Sequence, residues 1–171
     1  ETLKSALQVE QQEARYYKEG QADRYILGVP RFGQTQFNTA NGVLVQQTSN
    51  ITLRDLIANH TGEYGLFAVH SSQVVIEDSV AIGASDTGFY VGQSQDVTVS
   101  RSEASENVSG FEIENSSRVV LEDNYAHGNT VGVMVFVLPD LEQKRGLDNL
   151  VRGNRIVGNN RPNFASEEAL V

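Results

Sequence analysis

The sequence predicts an all-β fold: a right-handed parallel β-helix, or solenoid, of about five 22–23-residue coils, with an N-terminal amphipathic capping helix. Three observations predict it. Glycine recurs at Gly42, Gly65, Gly88, Gly110 and Gly132, at spacings of 23, 23, 22 and 22 residues. Each glycine precedes a triplet with apolar first and third positions, as in Leu66-Phe67-Ala68 and Phe111-Glu112-Ile113. That is the period-2 pattern of a strand with one buried face. Further columns hold the same register: Thr48/Ser71/Ser94/Ser116, the strand pairs Ile51/Leu53, Val74/Ile76, Val97/Val99 and Val119/Leu121, and Ala58/Ala81/Ala104/Ala126. A unit this short cannot bury its own apolar face, but it can when stacked on copies of itself. Leucine-rich repeats share the period, yet they need Leu at fixed offsets where this chain uses Val. The β-branched bias excludes a helical repeat.

The elements follow in order. Residues 1–19 lack the repeat, and Leu3, Leu7, Ala14 and Tyr17 suggest one apolar helical face, with Gly20 as a stop. The expected role is to plug an open end whose strand edges would otherwise invite association. Residues 21–41 read as an irregular first coil, and residues 42–171 as the coils proper. The fifth repeat runs about eight residues long, which predicts a loop over 137–148. Arg161-Pro162-Asn163-Phe164 is expected to turn the chain back over the last coil as a C-terminal cap.

Composition narrows the function. The 171 residues carry 13 Lys+Arg against 22 Asp+Glu, a net charge of −9. Such a balance argues against nucleic acid and anionic membranes as partners. Without Cys there is no disulfide framework, thiolate metal site or thiol nucleophile. No apolar run reaches the length of a membrane-spanning helix. The first residue is Glu, which suggests a processed or excerpted chain.

Ile76-Glu77-Asp78-Ser79-Val80-Ala81-Ile82-Gly83-Ala84-Ser85-Asp86, Tyr90-Val91-Gly92-Gln93-Ser94, Glu112-Ile113-Glu114-Asn115-Ser116 and Arg161-Pro162-Asn163-Phe164-Ala165 resemble exported bacterial proteins with tandem parallel β-helix repeats. The resemblance covers Gly62 to Ala165; the first 40 residues carry none. It implies an extracytoplasmic setting, periplasmic or secreted, and no established activity. Carbohydrate-modifying β-helix proteins such as alginate epimerases and lyases, and a copper-maturation β-helix, are more distant relatives of that family. An engineered sequence built on such repeats, with no native activity, is a further reading.

The candidate functional surface is the outward face of the first strand, two and four residues past each glycine. Up the stack it reads Leu44/Gln46, Phe67/Val69, Tyr90/Gly92, Glu112/Glu114 and Met134/Phe136. Phe67, Tyr90, Glu112, Glu114, Met134 and Phe136 are therefore the candidate ligand-binding residues. An aromatic ring packs on the CH face of a sugar while carboxylates accept from hydroxyls. Glu112 and Glu114, about 7 Å apart at Cα on one strand face, are the candidate catalytic acids, near the spacing of inverting glycoside hydrolysis. Set against this, two solvent-facing Glu beside covered aromatics would need no ligand.

Gln47, His70, Gln93 and Asn115 form the next column, where His70 reads as a turn residue. His60 and His127 are placed in other turns, which leaves no metal constellation. Asp55, Glu77, Asp78, Glu122 and Asp123, interleaved with Arg54 and Arg101, read as a solvated turn and not a calcium site. Asn50-Ile51-Thr52, Asn59-His60-Thr61, Asn107-Val108-Ser109 and Asn115-Ser116-Ser117 match the glycosylation acceptor pattern but read as turn chemistry.

Two function classes follow, neither with a cofactor. The favoured one is a non-enzymatic solenoid, a scaffold or binding module for an oligosaccharide or a protein partner. The alternative is a carbohydrate-active hydrolase, lyase or epimerase using Glu112 and Glu114. The lyase version is the weaker, because no Arg or Lys stands on the first-strand face and an acidic protein repels polyuronates.

Overall fold

The computed structural model describes residues 41–165 and three short strands before them, Leu7–Val9 (β1), Ala14–Tyr16 (β2) and Tyr25–Gly28 (β3). From residue 41 the chain winds through three-strand coils. They are Asn41–Gln46, Ser49–Arg54 and Leu56–Asn59 (β4–β6), then Tyr64–Val69, Ser72–Glu77 and Val80–Ile82 (β7–β9). Thr87–Gly92, Gln95–Ser100 and Glu103–Ser105 follow (β10–β12), then Ser109–Glu114, Val120–Glu122 and Tyr125–His127 (β13–β15). Val131–Phe136, Leu150–Arg152 and Arg155–Val157 close the series (β16–β18).

Equivalent strands pair in parallel, so three sheets run the length of a right-handed solenoid of about four turns. The first sheet is β1-β4-β7-β10-β13-β16, the second β17-β14-β11-β8-β5, and the third β18-β15-β12-β9-β6-β3-β2. Val91 pairs with Ala68 below and Ile113 above, which is the register read from the glycine spacing.

The Gly and Ala columns share one physical cause. A Cβ on Gly88 would lie 2.9 Å from the carbonyl oxygen of Gly110 and 3.2 Å from the Cβ of Ala81. Small residues are therefore required on both sides where the tube is narrowest. Wider parts take Leu66, Phe89, Phe111, Ile76 and Ile113, all buried, with Phe89 and Phe111 stacked at 4.9 Å. The hydroxyl and amide columns serve the corners, where the chain leaves the ladder and its N–H groups need partners. Ser71 N donates to Ser94 Oγ at 3.0 Å and Ser94 N to Ser116 Oγ at 2.9 Å. Asn107 N and Asn124 N donate likewise to Asn129 Oδ1 and Asn154 Oδ1.

Each coil turns through left-handed residues at fixed stations. His70, Gln93 and Asn115 occupy one column with φ of 48°, 47° and 43°. His70 is thus a corner residue, as the sequence suggests.

Between β16 and β17 the chain runs without a strand over 137–149. Asn115 Nδ2 donates to Leu138 O at 2.8 Å and Leu147 N to Ser117 Oγ at 3.1 Å, holding the loop against the coil below. The expected N-terminal capping helix falls mostly outside the described residues. No helix occurs among the described residues, and β1 and β2 are extended strands on the edges of the first and third sheets. An open edge offers a row of unpaired backbone groups, a stronger template than an isolated amphipathic turn. The rest of 1–40 lies outside the described residues. At the other end Arg161 N donates to Asn129 O as Thr130 N does to Asn107 O one coil below, so the chain there still follows the coil. The inward residues Val135 (48%), Val151 (42%) and Ile156 (46%) are exposed.

Candidate functional site

The candidate residues converge on the outer face of the first sheet. Parallel register sets Leu44, Phe67, Tyr90, Glu112 and Met134 in one row, and Gln46, Val69, Gly92, Glu114 and Phe136 in the next. A third row, Asn41, Tyr64, Thr87, Ser109 and Val131, lies one residue before the glycines. No Lys, Arg or His stands in any of the three.

Sequence reasoning missed the burial of this face. Tyr90, Glu112 and Glu114 are only 8%, 5% and 8% exposed. Phe67, Met134 and Phe136 are half-buried, as is Tyr64. Tyr64 is the main addition to the predicted set. Its ring centroid lies 4.6 Å from Phe67 and 4.8 Å from Tyr90, and Phe67 and Tyr90 meet edge to face at 4.9 Å. The three rings form one cluster spanning two coils. Asp86 is the second addition. The 23-residue coils hold one residue more before the strand: Ala84 is four positions from Gly88, whereas Asn107 is three from Gly110. That longer corner carries Asp86, which takes a hydrogen bond from Thr87 Oγ1 at 3.2 Å and lies beside Tyr64.

The two glutamates differ sharply in environment. Glu114 Oε2 accepts from the Tyr90 hydroxyl at 2.5 Å. Burial and this bond to a carboxylate together raise the Tyr90 phenol well above its usual value. Glu112 Oε1 is buried with no hydrogen-bond partner among the described residues. Burial pushes the Glu112 carboxyl up to about 7, and the charges of Asp86 and Glu114 add to the rise. The Thr87 and Ser109 hydroxyls oppose it without reaching Oε1. Asp86 is raised too, chiefly by burial. A carboxyl protonated near neutrality beside one held by a phenol is the asymmetry that separates an acid from a base.

The other predicted features sort differently. Arg101 bridges Glu77 at 2.5 Å and Asp78 at 2.9 Å, so the acidic corner is a surface ion-pair ladder. His127 is not in a turn: it ends β15, and its Nε2 lies 2.9 Å from Glu103 Oε1. The neighbouring Tyr125 ring stacks on it at 4.2 Å. Among the described residues no group of three or more His, Asp or Glu is placed to hold a metal ion.

The family described as right handed beta helix region matches residues 31–159, most of the chain. No curated protein matches it. With the parallel ladders, the glycine and alanine columns and this match in agreement, the chain belongs to the right-handed β-helix family.

Proposed function

We propose that the protein is a carbohydrate-binding β-solenoid that takes a sugar on the outer face of its first sheet. The observation that carries this reading is the cluster of Tyr64, Phe67 and Tyr90 next to Glu112 and Glu114. The half-buried rings of Tyr64 and Phe67, backed by the buried Tyr90, offer an apolar surface to the CH face of a pyranose, and carboxylate oxygens accept from its hydroxyls. The coils are rigidly laddered, so binding costs little ordering of the protein. An extracytoplasmic setting, where polysaccharides are met, suits this role. The test is a glycan-array screen followed by titration of hits, comparing the wild type with a Tyr90→Ala/Glu112→Gln double variant. Binding that the variant loses supports the reading; binding unchanged in the variant, or none to any glycan, overturns it.

One observation favours a second reading, glycoside hydrolysis. Glu112, protonated near neutrality, has the state of a general acid, and Glu114, held by the Tyr90 hydroxyl, places a second carboxyl two residues along the same strand. Turnover of a bound sugar that Glu112→Gln lowers at least about a hundredfold with binding retained would establish it. Binding without turnover leaves the non-enzymatic module.

A further inference from the structure

The first-sheet site gathers acids and no cation among the described residues, which bears on the kind of sugar it takes. The charged groups acting on Tyr64 and Glu112 are all acids, Asp86 foremost at both, followed by Glu112, Glu63 and Glu114 at Tyr64 and by Glu114 at Glu112. None of the three outward rows supplies a cation to offset them. Elsewhere on the solenoid, carboxylates are paired: Glu77 and Asp78 with Arg101, Asp96 with Arg118, Glu122 with Arg152. The first-sheet acids have no such ion pair among the described residues.

Two buried groups there also lack partners. Glu112, 5% exposed, leaves Oε1 without a hydrogen bond among the described residues, and Ser109, fully buried, leaves Oγ in the same state. Such groups are costly unless something completes them. Beside them the faces of Tyr64, Phe67 and Tyr90 carry the negative side of the ring quadrupole, which attracts cations.

Resting on the carbohydrate reading above, we infer that the site selects a cationic sugar, a hexosamine with a free protonated amine, whose ammonium group pairs with Glu112 among the three rings. The ammonium supplies the donor that Glu112 Oε1 lacks, and on binding it displaces to solvent the proton that Glu112 holds near neutrality, so that it meets an ionised carboxylate. N-acetylation would remove the charge, and a uronate would bring a second negative charge against them.

Calorimetric titration at pH 6 with a glucosamine tetramer, its fully N-acetylated counterpart and a galacturonate tetramer tests this. The glucosamine tetramer is expected to bind at least about tenfold more tightly than the acetylated one, a difference of ~1.4 kcal/mol, and the galacturonate not at all. The preference should shrink as salt screens it, and both Glu112→Gln and Asp86→Asn should reduce it. Asp86→Asn is the second variant because its half-buried position makes misfolding an unlikely source of the change. Equal or better binding of the acetylated tetramer, or any preference for galacturonate, overturns the inference and leaves the carbohydrate reading standing. A preference that survives both substitutions also overturns it. Failure of all three tetramers overturns the inference, and the carbohydrate reading falls with it only if the glycan screen is also blank.

Discussion

The ring of Tyr90 lies over the backbone of Gly92, two residues along the same strand. A Cβ on Gly92 would stand 2.7 Å from the Tyr90 hydroxyl oxygen and 2.9 Å from Cζ. Gly92 is thus what lets Tyr90 fold down and donate to Glu114 on the next coil. In Gly92→Ala the obstruction is a side chain, which can swing away, so the fold should survive. The Tyr90–Glu114 bond should be lost, with a stability cost of about 1 kcal/mol and a clear fall in sugar binding. Denaturant titration and the near-ultraviolet tyrosine signal would read both; an unchanged signal would mean the ring does not depend on that gap.

Stability should fall as pH rises through the weakly acidic range. Glu112 is raised from 4.5 to about 7 in the folded protein, so the folded state holds a proton that the unfolded chain releases earlier. The stabilisation is complete below about pH 4.5 and is lost by about pH 7, an amount of roughly 3 kcal/mol. Asp86 acts in the same direction. Glu77, Asp78 and Asp96, lowered by their arginines, act oppositely at lower pH, but as exposed pairs they count for little. Glu112→Gln should flatten the profile between pH 4.5 and 7 and be more stable than wild type at pH 8. Denaturation midpoints across that range are the measurement, and a wild-type profile rising from pH 5 to 8 would contradict it.

Position in the stack should decide what a core truncation costs. Ile113 is 2% exposed between Val91 and Val135, whereas Val135 faces the open last coil at 48%. Ile113→Ala should cost about 2–5 kcal/mol, and Val135→Ala about 1 kcal/mol or less. Similar losses at both sites would show the last coil to be covered in solution.

The amide ladder should be as demanding as the apolar core. Asn129 is fully buried; its Oδ1 accepts from Asn107 N at 2.9 Å and its Nδ2 donates to Ala104 O at 3.0 Å. Asn129→Ala strands both backbone groups and should cost about 2–4 kcal/mol, against about 0.5 or less for Asn160→Ala on the exposed rim. Urea midpoints for the two variants would decide.

The fold was legible because a period of 22 or 23 residues constrains many positions at once, and a strand shifted by one residue would exchange Ile113 for Glu112 in the lumen. The rows holding Tyr90, Glu112 and Glu114 followed from that register. Their burial did not, since it depends on how Tyr64 leans across the coil above, and Tyr64 stands outside the alternating triplet. Asp86 was likewise hidden in a corner whose extra residue looked like spacing noise. At the N-terminus Leu7 and Ala14 satisfy a helical face and a pair of edge strands alike, and nothing local in the sequence distinguishes them.

The stations at which the chain turns have a consequence for its ancestry. Gln47 and His70 occupy the same left-handed corner one coil apart, so joining Gln47 directly to Ser71 would replace one junction with its equivalent. Excising or duplicating the intervening stretch therefore keeps the strand ladders in register, while new side chains meet across the junction, such as Leu44 against Tyr90 after excision. The molecule can grow in quanta of one strand spacing, ~4.8 Å. Its binding face would lengthen or shorten by one whole rung each time, a unit of inheritance set by geometry instead of by single substitutions.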